Sequence, residues 1–289
     1  MLGKHRLGIY EKALDGADSW ERRLEKTAQL GFDFLEISID ESEERLARLD
    51  WGPEQRRRLL NASLDAGVPI SSMCLSAHRR CPLGSADPGL QAQAWEIAVK
   101  AAELACELGV RIVQLAAYDV YYEPPSEGSA ERFLENLERV AELGEKYGLM
   151  MANEVMDTAF MNSISKHLAC ERRINSPWLR VYPDLGNLSA WGNDVRAELK
   201  AGAGSIVQVH LKDTLAVGAD FPGKFRDVEF GQGCVDFETC LRTLEDEGYC
   251  GAYLIEMWHR PGSDDMDAIT RAKGFIEGRF RAAVGERES

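Results

Sequence analysis

Eight times along the 289 residues, a short β-rich run gives way to a longer amphipathic run. The β-type runs are RLGIY (6–10), FDFLEISI (32–39), VPISSMCLS (68–76), VRIVQLAAY (110–118), LMMANEVM (149–156), LRVYPDLG (179–186), SIVQVHLKD (205–213) and GAYLIEMW (251–258). Between them, helical spacing and terminus signals predict helices. One runs from Ser19, a plausible N-cap, to Gly31, and a second from Pro53 to Gly67, with proline near the start and glycine at the end. A third, from Gly89 to Gly109, carries Leu90, Ala94, Ile97, Ala101, Leu104 and Leu108 on one face. Five more follow, at 131–148, 163–175, 194–202 and 236–249, and from Asp264 to about Arg281. Strict alternation requires parallel strands joined by crossovers, and eight such units favour closure. The expected fold class is α/β, a single (β/α)8 TIM barrel spanning 1–289 as one domain. An open, doubly wound sheet lacks its usual support, because no G-x-G-x-x-G follows the first run.

Bulk properties narrow the partners. The chain is 45% hydrophobic and 28% charged, with 10 prolines, so it reads as globular throughout. A net charge of −14 repels phosphate backbones, and no nucleic-acid partner is expected. No apolar run approaches the length of a membrane span, and the N-terminus shows no signal-peptide core. The seven cysteines include no C-x-x-C pair, which fits a reducing cytoplasm. Cys74 and Cys106 read as small buried hydrophobes. Tryptophan and tyrosine near the active-face loops make a homodimer the expected assembly.

Chemistry in such a barrel sits at the C-terminal ends of the strands. Reading those ends in turn gives Glu154 in NEVMD, Asp184 in YPDLGN, His210 in VHLKD and Glu256 in LIEMW. Each lies in an otherwise apolar run. One buried carboxylate costs several kcal/mol unless paired, and three side by side repel each other. A divalent cation resolves the conflict. Two Glu, one Asp and one His make an oxygen- and nitrogen-rich site suited to Mn²⁺, Co²⁺, Mg²⁺ or Zn²⁺. Taken singly, three of them have a plainer explanation: His210 as a core histidine, Glu154 paired with a basic side chain, Asp184 capping the next helix. The coincidence of four on adjacent strands favours a metal.

Several stretches carry a family resemblance: LGIYEKAL, GFDFLEIS, SMCLSAHRR, PLGS, YDVYY, MNSISK, YPDLGNLSAW, VHLKDT and YLIEMW. With them the chain resembles the xylose-isomerase-like TIM barrels. The similarity is closer to the L-ribulose-5-phosphate 3-epimerase family, which includes the L-xylulose-5-phosphate 3-epimerases of bacterial L-ascorbate utilisation. The resemblance implies that Glu154, Asp184, His210 and Glu256 hold one divalent metal ion, with Glu154 and Glu256 as the acid–base pair. It implies a ketose phosphate as substrate and no organic cofactor. The chemistry is consistent: epimerising C3 of a 2-ketose removes a proton beside the C2 carbonyl, and a cation stabilises the resulting charge. One carboxylate takes the proton from one face and the other returns one to the opposite face.

The phosphate needs its own contacts. The candidates are His78 and Arg79 after strand three, Ser163 and Ser165 at the start of helix five, and Lys212 and Arg226 on or after strand seven. Lys224 reads more simply as a surface charge. Asn187, three residues after a ligand, is expected to hold a substrate hydroxyl. The related epimerases of free sugars carry a histidine at the equivalent place, so Asn187 favours the phosphorylated substrate. Glu36 closes strand two and either binds substrate or orients His210. Three other readings remain: an aldose–ketose isomerase on the same ligands, a non-catalytic metal-binding barrel, and a phosphodiester hydrolase resembling endonuclease IV. The last calls for a histidine-rich zinc cluster, and of five histidines only His210 stands among the four ligand positions.

Overall fold

The computed structural model describes residues 2–285. Eight parallel strands form one sheet: β1 (Leu7–Tyr10), β2 (Phe34–Ile39), β3 (Ile70–Leu75), β4 (Ile112–Leu115), β5 (Met150–Glu154), β6 (Leu179–Tyr182), β7 (Gln208–Leu211) and β8 (Ala252–Ile255). Their order is β6-β5-β4-β3-β2-β1-β8-β7. The two ends meet through isolated parallel bridges, Val181 with Ile206 and Asp184 with His210, so the sheet curls into a nearly closed barrel. The strands are almost wholly buried, as expected of a parallel sheet covered by helices.

The covering helices are α1 (Trp20–Gln29), α2 (Glu43–Leu46), α3 (Pro53–Ala66), α4 (Pro88–Leu108), α5 (Ser129–Tyr147), α6 (Ile164–Ile174), α7 (Leu185–Ala190), α8 (Val195–Ala201), α9 (Phe237–Asp246) and α10 (Asp265–Val284). Their ends follow the sequence signals. The Ser19 hydroxyl accepts from Arg22 N–H, and the Asp87 carboxylate accepts from Gly89 and Leu90. Gly67 and Gly109 end α3 and α4 in the left-handed region. Inward-facing side chains of α4, among them Ala94, Ala101, Ala105 and Leu104, are buried against the barrel.

Three features depart from expectation. The sixth strand stops at Tyr182, because Asp184 caps α7 within the stretch expected to remain extended. Helix α2, one turn long, was not anticipated. Cys106 lies on the solvent side of α4 and is exposed, whereas Cys74 is buried as expected. Among the described residues, no helix is long and apolar enough to cross a membrane.

Candidate metal centre and sugar pocket

Glu154 ends β5, Asp184 follows β6, His210 lies in β7 and Glu256 follows β8. All four are buried, and one donor atom from each falls within 4.8 Å of the others. Oxygen and nitrogen ligands sit about 2.1 Å from a small divalent ion, so donors on opposite sides of it stand about 4 Å apart. The cluster has that size.

His210 is aimed by its neighbours. Its Nε2 lies 3.1 Å from Glu36 Oε1 and its Nδ1 lies 3.1 Å from Glu154 Oε1. A carboxylate only accepts, so Nε2–H donates to Glu36 and Nδ1–H donates to Glu154, and the surrounding carboxylates hold the imidazole protonated. A cation at the cluster would replace the Nδ1 proton and take that lone pair, with Nε2–H still held by Glu36. Nδ1 also faces Glu256 at 3.8 Å and Asp184 at 3.9 Å. Beneath this cluster the barrel is filled by polar side chains. The Tyr182 hydroxyl donates to Glu36 Oε2 at 3.0 Å, and Gln208 Nε2 donates to the Tyr182 oxygen at 2.5 Å and to Ser72 at 3.1 Å. Gln114 donates to Glu154 Oε2.

Asp184 divides its carboxylate between two tasks. Oδ1 accepts from Asn187 N–H at 2.8 Å and so starts α7, while Oδ2 faces the cluster. The plain capping role and the ligand role therefore coexist in one residue. The Lys212 ammonium lies 2.7 Å from Asp184 Oδ2 and 3.0 Å from Glu256 Oε2. Neither oxygen receives a well-aligned hydrogen bond, which leaves both as available donors to a cation.

The electrostatics also fit a cation. Burial, with Glu256 and Glu154 close by, lifts the Asp184 carboxyl to about 8 against the pull of Lys212. Burial likewise raises Glu154. Burial opposes ionisation of Glu256 too, but the Lys212 and His210 charges hold it well below the usual carboxylate range. Three carboxylates enclosed this closely need more positive charge than one lysine and one histidine supply, and a divalent ion meets that need. The cluster of Glu154, Asp184, His210 and Glu256 can hold one metal ion.

Glu154 and Glu256 open onto a pocket walled by Tyr10, Cys74, Phe225 and Trp258. Four cations also line it: Lys12, Arg79, Lys212 and Arg226. Lys12 pairs with Asp40, and Lys212 with Asp184 and Glu256. Arg79 and Arg226 have no carboxylate partner among the described residues. Arg79 lies between the rings of Tyr118 and Tyr121, 5.4 Å from each centroid, and donates to the Tyr118 hydroxyl at 3.3 Å. Its Nε finds no acceptor. Arg226 stacks on Trp258 at 5.3 Å.

Comparison with known proteins gives the family. Residues 24–278 match the family model described as xylose isomerase-like TIM barrel. Over 277 residues the chain is 49% identical to the L-ribulose-5-phosphate 3-epimerase UlaE of Escherichia coli O139:H28, covering 96% of this chain and 95% of that protein. The chain belongs to the L-ribulose-5-phosphate 3-epimerase family. It is also 52% identical over 282 residues to SgbU of Escherichia coli strain K12, covering 98% of this chain and 99% of SgbU. Among solved structures, an L-ribulose 3-epimerase aligns with a TM-score of 0.75 at 20% identity, covering 99% of each chain. A D-allulose 3-epimerase from Methylomonas sp. aligns with a TM-score of 0.77 at 20% identity, covering 95% of this chain and 98% of the other. At that identity these two likenesses speak for the shared fold.

Within this family barrel, the residues singled out from sequence separate into two groups. Arg79, Asn187, Lys212 and Arg226 line the pocket. Asn187 donates to Val155 O at 2.8 Å, and its Oδ1 has no partner. Glu36 lies beneath the cluster, where it orients His210. His78 departs from expectation. It is buried, and its Nε2 meets Ala94 O at 3.1 Å, so it faces α4 and not the pocket. Burial depresses it to about 4, which leaves it uncharged near neutrality. Ser163 and Ser165 depart as well. The Ser163 hydroxyl caps α6 through Lys166 N–H, and Ser165 gives both its N–H and its hydroxyl to Glu198. Neither lines the pocket.

The sequence reading missed Lys12, Asp157 and Trp258 in the pocket, although each closely follows a strand end. It also missed Asp213, the residue that shapes the loop after β7. Its carboxylate accepts from Gly231 and Gly233 N–H at 2.8 and 2.9 Å and from Thr214 N–H at 3.0 Å. A Cβ at Gly233 would stand 2.1 Å from Asp213 Oδ1, so only glycine allows this approach.

Proposed function

We propose that the chain is a metal-dependent 3-epimerase interconverting L-xylulose 5-phosphate and L-ribulose 5-phosphate. One observation carries the reading. A four-donor cluster with two glutamates opens onto a pocket whose Arg79 and Arg226 lack carboxylate partners. In a chain of net charge −14, Arg79 in the pocket wall and the exposed Arg226 at the pocket's edge, neither in a salt bridge among the described residues, support a receptor for an anionic group, and a phosphate suits their forked donors.

A divalent cation held by Glu154, Asp184, His210 and Glu256 supplies stabilisation of the negative charge that develops when C3 loses its proton. Glu256, 3.0 Å from the Lys212 ammonium, serves one face of C3 and Glu154 the other, one accepting the proton while the other returns one. In the reverse direction the two exchange roles. Asn187 Oδ1, buried and unpaired at the pocket wall, accepts from a substrate hydroxyl. Arg79 and Arg226 hold the phosphate and so fix which carbon faces the glutamates.

The oxygen-rich donor set favours Mn²⁺, Co²⁺, Mg²⁺ or Zn²⁺ as the resident ion. We place the protein in a reducing cytoplasm, a reading supported by seven free cysteines. The chain works as one domain. The assembly we propose is a homodimer, on the tryptophan and tyrosine near the active-face loops. L-Ascorbate utilisation is the pathway that the family resemblance implies.

The test is proton exchange in D₂O. Metal-loaded protein is incubated with L-xylulose 5-phosphate, and deuterium is located by NMR. Label at C3 with L-ribulose 5-phosphate forming is the expected result. Label at C1 would identify an aldose–ketose isomerase. No label from metal-loaded protein would overturn proton transfer on this substrate.

A further inference from the structure

The Arg226 side chain makes no hydrogen bond among the described residues. It rests on the Trp258 ring, so its position depends on the backbone that carries it. That backbone is bent at the next residue. Asp227 has φ of +57°, one of two non-glycine residues in the left-handed region among those described; the other, Asn175, is an ordinary helix C-cap. The bend turns the Asp227 carbonyl toward two cations. Lys224 Nζ and Arg260 Nη2 each donate to it at 3.1 Å. Arg260 also reaches Glu229 Oε1 at 3.6 Å and Asp227 Oδ1 at 4.0 Å. The Arg260 carbonyl accepts from Ser263 N–H at 2.9 Å and from its hydroxyl at 2.6 Å, so the arginine projects from an ordered turn. Farther along, Asp213 holds Gly231 and Gly233. The segment from Asp227 to Gly233 is thus fixed at both ends, once from the barrel and once from the loop after β8.

We infer that Arg260 is a positioning residue for Arg226: by holding the Asp227 carbonyl it sets where the Arg226 guanidinium meets the substrate's phosphate. The inference rests on the proposed role of Arg226 as a phosphate contact. Surface ion pairs contribute little, and Arg260 is half exposed, so its effect comes from the directed hydrogen bond to the strained carbonyl more than from Glu229.

The experiment is steady-state kinetics on the metal-loaded enzyme, with L-ribulose 5-phosphate and with unphosphorylated L-ribulose. The proteins are wild type, Arg260→Ala, Arg260→Lys, Arg226→Met and the Arg226→Met/Arg260→Ala double variant. Arg260→Ala should raise KM for the phosphorylated sugar about tenfold, as expected for one charge-assisted hydrogen bond. Its kcat, and its kcat/KM for L-ribulose, should stay within about twofold on the same basis. Inhibition by inorganic phosphate should weaken in parallel, and Arg260→Lys should recover part of the loss. In the Arg226→Met background, Arg260→Ala should add nothing. Equal losses on both sugars would overturn the inference in favour of general loop damage. Additive losses would overturn it by making Arg260 a phosphate contact in its own right. If Arg226→Met raises KM and Arg260→Ala does not, the inference alone fails. If Arg226→Met leaves KM unchanged, its premise fails.

Discussion

Glu36 Oε1 lies 3.1 Å from His210 Nε2, and both side chains are completely enclosed in the barrel. The contact fixes the imidazole's tautomer and its orientation toward the other three donors. Glu36→Gln keeps the shape and removes the charge. Metal affinity should fall about 10- to 100-fold, the usual cost of losing such a partner. Calorimetric titration with Mn²⁺ measures it, and an unaltered affinity would remove the role assigned to Glu36.

Glu256→Gln should separate binding from chemistry. The amide retains an oxygen donor but is not basic, so deuterium incorporation at C3 should drop by about 10²- to 10⁴-fold. Elemental analysis of the purified variant should still find metal. Glu154→Gln should behave alike. Normal turnover in either variant would take that glutamate out of the acid–base pair.

The divided carboxylate of Asp184 gives a third expectation. Asp184→Asn keeps an oxygen for the Asn187 N–H but weakens the ligand, whereas Asp184→Ala loses both functions. Both variants should bind metal poorly. In chelator-treated protein, the alanine variant should be less stable than the asparagine variant by about 1 kcal/mol, the worth of a helix N-cap. Denaturant melts of the two decide it. Equal midpoints would mean that the cap contributes nothing to stability.

His78 predicts a pH effect on stability. Its folded pKa of about 4 lies below the 6.5 of an ordinary imidazole, and burial is the cause. The folded chain therefore binds fewer protons at this site than the unfolded chain, and stability rises with pH across the window between the two values. Acidification from about 6.5 toward 4 should remove roughly 3 kcal/mol through this residue, at about 1.4 kcal/mol per pH unit. His78→Gln should flatten that part of the stability curve. A histidine signal titrating near 6.5 in the folded protein would contradict the assignment.

Most of the barrel was legible because buried parallel strands and amphipathic helices alternate with different periods. The four residues of the cluster that can hold a metal were legible because a charged group within an apolar strand has few other reasons to be there. Orientation within turns was not legible. His78 and Arg79 are neighbours in HRR, yet a single 3₁₀ turn sends one into α4 and the other between two tyrosines. Chain proximity to the active face could not separate them. Ser163 and Ser165 were read as anion donors at a helix start, but their groups are taken by the helix itself and by Glu198, a residue 33 positions away. Lys12 could have been found by reading the end of β1 in the way that the ends of β5 to β8 were read. The role of Asp213 had no such signal, since it depends on glycines about 20 residues farther on.

The barrel's weakest joint lies between β6 and β7, where isolated bridges replace a continuous ladder. One of those bridges pairs Asp184 with His210. An ion gripped by both residues would therefore clasp the cylinder at the place where its hoop is least complete, so that the group required for chemistry would also act as the rivet of the fold.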